Sequence, residues 1–189
     1  MILEGIVTTR NPDRSVNISP MGPRVDAAME QLLLRPYQTS TTYQNLKRTG
    51  EGVLHVTDDV LLLAQAAVGQ PDPPPTMRDA RAVDGAILAD ACRWYAFRVE
   101  SLDDRQERTE IIARVIEQGT IREFFGFNRG KHAVVEAAIL ATRTAFLTAD
   151  EIQREFERLA VLVEKTGGPR ESEAFEFLKQ YVEGKGCRG

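Results

Sequence analysis

Hydrophobic and polar positions change their period along this chain. Over the first hundred or so residues apolar side chains mostly alternate with polar ones, and after about residue 130 they recur every third or fourth position. These are the periods of strand and helix. Ile6 and Val7 belong to a β-rich opening that runs into Asn11-Pro12-Asp13-Arg14-Ser15, a cluster of turn formers. Val16 and Ile18 then alternate with Asn17 and Ser19, so the pattern predicts an opening β-hairpin. Pro20 and Pro23 stop ladder pairing around Met21-Gly22. A short buried strand is expected over Gln31 to Arg35, ended by Pro36. Thr39-Ser40-Thr41-Thr42 offers several N-caps to a short helix, Tyr43 to Arg48, closed by Gly50. Val53, His55 and Thr57 alternate with Leu54, Val56 and Asp58 as in another strand. Asp58-Asp59 can cap a helix over Val60 to Val68. The stretch from Gly69 to Pro75, with four prolines, reads as an extended loop.

Two long strands are expected at Ile87 to Glu100 and Glu110 to Glu117, with Asp103-Asp104-Arg105-Gln106 as the charged tip between them. His132 to Phe146 is apolar almost all round and predicts a buried helix. Thr148-Ala149-Asp150-Glu151 has the form of a capping box. It opens a helix with Ile152, Phe156, Leu159, Ala160 and Val163 at helical spacing, stopped at Gly167. A last helix spans Ser172 to Glu183. The expected architecture is α+β: a small β-barrel with helices packed outside, one domain over residues 1–189, mainly β over 1–128 and helical over 129–189.

Composition narrows the function. At 189 residues the chain can bury a core without staples. Its 24 Lys and Arg against 28 Asp and Glu give a net charge of −4, leaving no basic surplus for nucleic acid or an anionic membrane. Cys92 and Cys187 form no CxxC pair, and His55 and His132 lie far apart, which leaves little material for a zinc site. The N-terminus has no basic n-region, and the longest apolar runs fall short of the roughly 18 to 20 residues of a membrane span. A reduced, cytoplasmic protein is expected. No GxSxG, HExxH, P-loop or GxGxxG pattern occurs. An enzyme whose reactive atoms belong to a bound cofactor stays open.

Three segments could carry chemistry. In Arg35 to Leu46, hydroxyls at Thr39, Ser40 and Thr41 stand at the mouth of a helix whose free N–H groups can hold a phosphate, with Arg35, Lys47 and Arg48 as charge. The same hydroxyls could simply cap the helix. In Ser15 to Pro23, Asn17, Ser19 and Met21 share one strand face, against which a flat ligand could lie, or which is an ordinary strand entering a turn. In Gly126 to His132, Arg129 and Lys131 bring positive charge to a helix N-terminus, against the dipole. That charge serves either a ligand or an internal ion-pair network. His55 reads as a satisfied structural residue, Tyr37, Tyr43 and Trp94 as core or interface aromatics, and Cys92 as a buried thiol.

In combination, EGIVTT, SVNISPMGP, RPYQTSTTYQNL, GVLHVTDD and FNRGKHAVVEAAILATR resemble the FMN-binding split-barrel superfamily of flavin reductases and pyridoxamine-phosphate-oxidase-like proteins. More closely, they resemble an uncharacterised group within it, domain of unknown function family 447. The resemblance implies a homodimer with FMN in each cleft between subunits and a small-molecule redox substrate. It implies that Asn17, Ser19, Pro20 and Met21 line the flavin ring, and that Thr39, Ser40, Thr41 and Asn45 hold the phosphate and ribityl chain. Arg35, Arg129 and Lys131 join the cofactor-binding candidates on charge. The implied activity is that of an FMN-dependent oxidoreductase, with a non-catalytic FMN or phosphorylated-ligand binding module as the alternative.

Overall fold

A computed structural model describes residues 1–69 and 71–185, so that Gln70 of the proline-rich stretch and Cys187 lie outside the described residues. In chain order the elements are β1 (Gly5–Arg10), β2 (Val16–Met21), β3 (Arg24–Val25), β4 (Gln31–Leu34), α1 (Thr41–Thr49), β5 (Glu51–Val56) and α2 (Val60–Val68). They continue with β6 (Met77–Asp79), β7 (Ala86–Leu88), β8 (Arg93–Asp103), β9 (Glu110–Thr120), α3 (Arg129–Ala141), α4 (Ala149–Thr166) and α5 (Pro169–Lys185). Two compact units result: Met1–Thr57 with Pro74–Phe124, and Asp58–Pro73 with Phe125–Gly189.

The first unit is built on a seven-stranded antiparallel sheet of order β2-β1-β5-β8-β9-β4-β3, curled into a half-barrel. The expected opening hairpin is β1–β2, paired from Gly5 opposite Met21 to Arg10 opposite Val16. β2 is an edge strand, which is where Pro20 can be tolerated in a ladder. The long β8–β9 pair shifts register between Ala96 and Phe97 and again between Val99 and Ser101. Such irregularities bend and twist a strand pair, which suits a curled sheet.

β8 is buried on both faces from Trp94 to Phe97. Tyr95 and Phe97 enter a cluster with Val7, Leu32, Leu34 and Leu54, while Trp94 and Ala96 enter a second one with Val53 and Ile87. β5 is likewise buried on both sides from Gly52 to His55, not half-buried as its alternation suggests. The hairpin β6–β7 supplies the added cover, since Ile87 of β7 packs in the second cluster with Val53 of β5.

Sequence boundaries shift at several elements, β9 running on to Thr120 and α5 starting at Pro169, and three of the shifts have a visible cause. The strand expected at Ile87 to Glu100 divides into β7 and β8, because the chain turns at Ala89–Cys92 and Cys92 N–H bonds to the Val56 carbonyl at 2.9 Å. α1 starts at Thr41, since Ser40 is the residue that caps it. α3 runs from Arg129 to Ala141 and not from His132 to Phe146, because Asn128 caps it by accepting from Lys131 N–H at 3.0 Å.

The second unit contains α2, α3, α4 and α5. Asp59 caps α2, accepting at 3.1 Å from both Leu61 and Leu62 N–H, and Arg170 of α5 holds its other oxygen at 2.7 Å. The capping box of α4 forms as expected, with Thr148 and Glu151 exchanging bonds between side chain and backbone. Phe156 and Phe175 stack tilted across α4 and α5 at 5.4 Å. Gly130 lets the start of α3 meet the end of α4: a Cβ there would lie 2.8 Å from the Gly167 backbone. The ammonium of Lys131 donates to Glu171 Oε1 at 2.7 Å and to the Asp58 carbonyl at 2.8 Å, and Gly168 N–H fills Glu171 Oε2. Burial alone would raise the Glu171 carboxyl, but the bonds from Lys131 and Gly168 outweigh it and hold the group below its ordinary value.

This ion pair is mostly desolvated, with side chains 18 % and 10 % exposed. Removing one partner leaves the other charge uncompensated, so Lys131→Met should cost about 2–3 kcal/mol in a urea titration. Lys131→Met with Glu171→Gln should restore more than half of that loss, and equal losses in the two variants would show that the pair is not coupled.

Candidate functional site

A buried seam of amides and hydroxyls fastens α1 to the opening hairpin. Thr9 of β1, Asn17 of β2, and Thr42 and Asn45 of α1 are each at most 7 % exposed. The Asn17 amide donates to Thr9 Oγ1 at 3.2 Å and to Thr42 Oγ1 at 3.0 Å. The Asn45 amide donates to the same Thr9 oxygen at 3.1 Å and to Asn11 Oδ1 at 2.8 Å. A hydroxyl oxygen has two acceptor sites, and Thr9 uses both to hold the two amides. Two segments that the sequence marks separately as ligand-binding are thereby joined through their own side chains.

Ser40 accepts from Tyr43 N–H at 3.2 Å and donates to the Tyr37 carbonyl at 2.8 Å, which identifies it as the cap among the four hydroxyls. Gly50 ends α1 at φ 68°, a left-handed conformation that favours glycine, and its N–H closes on the Leu46 carbonyl. With Tyr43 and Gln44 N–H bonded to Ser40, the N–H groups of Thr41 and Thr42 meet no acceptor among the described residues. The Thr39 and Thr41 side chains are exposed and also make no hydrogen bond there.

Beside this helix lies a depression of about 450 Å³. Asn11 and Pro12 line it from the hairpin turn, with Thr39, Thr41, Gln44 and Asn45 opposite and Lys47 and Arg48 completing the wall. The lining holds no carboxylate, and the first turn of α1 has no acidic residue. Arg48 bonds to the Arg10 carbonyl and reaches Asn45 Oδ1 at 3.5 Å. Lys47 donates to Asp104 Oδ2 at 2.8 Å and to Tyr43 Oη at 3.1 Å. The bond to Asp104, reinforced by the one to Tyr43, raises the Lys47 ammonium above its ordinary value; the Asp104 carboxyl is lowered by its bond from Lys47 and by a second one, donated by the Tyr43 hydroxyl at 2.7 Å. The chemistry available here is that of an anion cradle: exposed hydroxyls, unfilled N–H groups at a helix N-terminus, and two cations.

The other candidates fall elsewhere. Ser19, Pro20 and Met21 are half-buried on edge strand β2, Met21 against the core. Arg35 follows β4 and faces Glu110 at 3.5 Å, outside the depression lining. Arg129 is exposed at the first residue of α3, in the other unit, while Lys131 is engaged in the network with Glu171. Among the described residues no group of three His, Cys, Asp or Glu could hold a metal ion, and no helix is long and apolar enough to cross a membrane. Thr9 and Asn11 have the largest roles that motif reading does not assign. The pair Thr8-Thr9 inside an apolar strand is the signal for them, since both are fully buried and need internal partners.

His55 is fully buried and satisfied at both ring nitrogens. Leu88 N–H donates to Nε2 at 3.1 Å, so the neutral ring carries its proton on Nδ1 and donates to the Ile6 carbonyl at 3.1 Å. Burial lowers its pKa to about 4 despite the Ile6 bond, which favours the charged form. The ring ties β5 to β1 and β7.

Residues 3–122 match the family model described as Protein of unknown function (DUF447) N-terminal domain, and residues 128–180 match the model described as Protein of unknown function (DUF447). The chain belongs to this family. An FMN-bound protein of the same family from Methanosarcina mazei superposes with a TM-score of 0.79 at 22 % identity, covering 95 % of this chain and 94 % of that one. The flavin reductase of the styrene monooxygenase of Pseudomonas putida S12 gives 0.53 at 16 % identity, covering 63 % and 79 %. An FMN-binding protein from Thermus thermophilus gives 0.54 at 12 % identity, covering 63 % and 70 %. These likenesses show the fold expected for this family member, an α+β split barrel with a C-terminal helical extension.

Two predictions separate scaffold from ligand residues. Asn45→Ala strands buried hydrogen-bond partners and should cost about 1–3 kcal/mol in chemical denaturation. Thr41→Ala should stay within about 0.5 kcal/mol of the parent. For His55, the folded-state pKa lies below the ordinary 6.5, so the unfolded chain takes up a proton first as pH falls. Stability should therefore decline from about pH 6.5 and level off below about pH 4. His55→Phe should be less stable at pH 7 and lose that slope; an unchanged slope would assign it to other groups.

Proposed function

We propose that this protein is an FMN-binding flavoprotein, an oxidoreductase of the flavin-reductase kind acting on a small-molecule redox substrate. The observation that carries the reading is the carboxylate-free lining of the α1 depression, whose unfilled donors suit a phosphate ester. The FMN-bound member of the same family supports it from a second direction. When bound, FMN supplies the electron chemistry. The hydroxyls of Thr39 and Thr41 and the N–H group of Thr41 would hold the phosphate, with Arg48 and Lys47 balancing its charge. Asn17 and Asn45 act by fixing α1 to the hairpin, since both amide N–H groups of each are already occupied. Ser40 preserves the helix end as its cap. Ser19, Pro20 and Met21 on β2 are the residues assigned to the ring.

A homodimer belongs to the same reading, and Ile112 and Ile116, exposed on either side of Arg114 along β9, offer apolar contacts for it. So does a cytoplasmic location, which suits a buried cysteine thiol such as Cys92. A non-catalytic FMN-holding module is the alternative. It is favoured by the depression's lack of a proton carrier other than Lys47, whose ammonium is tied to Asp104.

Purified protein should be yellow or take up added FMN with quenching of its fluorescence. Thr39→Ala with Thr41→Ala should weaken FMN binding at least tenfold, since each hydroxyl removed is a donor to a charged phosphate, at unchanged stability. Unaltered affinity in that variant would overturn the phosphate assignment. Anaerobic NADH or NADPH bleaching the flavin would mark an oxidoreductase, and no bleaching with either would favour the binding module.

A further inference from the structure

The helical unit carries a groove of about 710 Å³ between α4 and α5 that has no part in the cofactor reading. Its floor is apolar, formed by Ile152, Phe156 and Val163 of α4 and by Phe175 and Val182 of α5. Its rims are acidic. Glu157 and Glu164 line one side, Glu176 and Glu183 the other, and Lys179 is the one basic lining residue. None of these glutamates forms an ion pair among the described residues: Glu157 and Glu176 each accept only from a glutamine one turn along, at 3.1 and 3.2 Å.

The spacing is regular on both helices. Phe156 and Val163 are seven residues apart, as are Phe175 and Val182, and each is followed directly by a rim glutamate. A seven-residue step is about two turns or roughly 10 Å, so the carboxylates form two parallel rows flanking an apolar stripe. Two helices with apolar positions at this step form the seam into which a third helix packs. Ala149 and Ala160 keep the walls low enough for its backbone to approach.

We propose that this groove seats one amphipathic helix of a partner protein, apolar along one stripe and carrying Lys or Arg on both flanks. Charge selects this occupant. A second copy of the chain would set glutamate rows against glutamate rows, whereas flanking cations meet them favourably. The lining runs from Ala149 to Glu164 on α4, which matches a helix of about four turns.

The test uses the full chain and a fluorescein-labelled synthetic 16-residue peptide with leucines at helical a and d positions and lysines beside them, followed by fluorescence anisotropy. Micromolar binding is expected. It should weaken roughly tenfold in Glu164→Lys/Glu183→Lys and at 0.5 M salt, and likewise when the peptide's lysines are replaced by glutamates. Glu107→Lys/Glu173→Lys changes the net charge equally at exposed sites outside the groove and should leave binding unchanged. All four positions are exposed, so thermal melting should show each variant folded. Equal binding to parent and Glu164→Lys/Glu183→Lys, or equal loss in both pairs of substitutions, would overturn the proposal. So would sedimentation showing a dimer that Ala160→Trp, which fills the groove, dissociates.

Discussion

One hydroxyl organises the candidate site. Thr9 Oγ1 sits between the amides of Asn17 and Asn45, and through them a strand, its hairpin partner and a helix become one polar unit. An amide buried without a partner costs more than a hydrogen bond formed in water gains, so these side chains leave α1 few alternative seatings. Everything exposed at the head of α1 inherits that rigidity. The Thr39 and Thr41 hydroxyls and the vacant N–H groups are held in place by residues that need touch no ligand themselves. Preorganisation of this kind is what a shallow, polar depression needs if it is to hold an anion.

The division between holding and being held explains where sequence reading succeeds and where it stops. Period-two alternation locates the opening hairpin, and the capping pattern of Thr148 and Glu151 locates the start of α4, because these depend on neighbours within a few residues. Asn17 and Asn45 are recognisable as polar side chains in unusual places, but nothing within their segments reveals that Thr9 and Thr42 complete them. The partners lie 8 to 36 residues away. Lys131 is a comparable case. Its position against the helix dipole flags a special role, and the buried carboxylate that accounts for it comes from Glu171, 40 residues on. His55 was legible as structural, since a lone histidine in an apolar strand needs only two backbone partners to be content, and it has them.

Charge is partitioned along similar lines. The chain's mild net negative charge conceals a depression without carboxylates in one unit and a groove with four of them in the other. Where cations occur near the first, they are restrained: Lys47 by Asp104 and Tyr43, Arg48 by backbone and amide oxygens. Such tethering reduces the side-chain entropy that an incoming anion would otherwise have to remove. The depression and the groove thus have opposite local electrostatics, which composition alone averages away.

Pro20 has a further consequence. It lies in β2, whose outer margin is an open sheet edge. A strand edge is a template on which another chain can extend the sheet, and each free N–H along it is a rung for that growth. A proline sits in a ladder without penalty only where its nitrogen faces outward, so the donor it lacks is one such rung. An incoming strand meets a row with one rung missing at Pro20. The residue read from sequence as part of a ligand wall therefore also makes the first hairpin a poorer template for extension of the sheet.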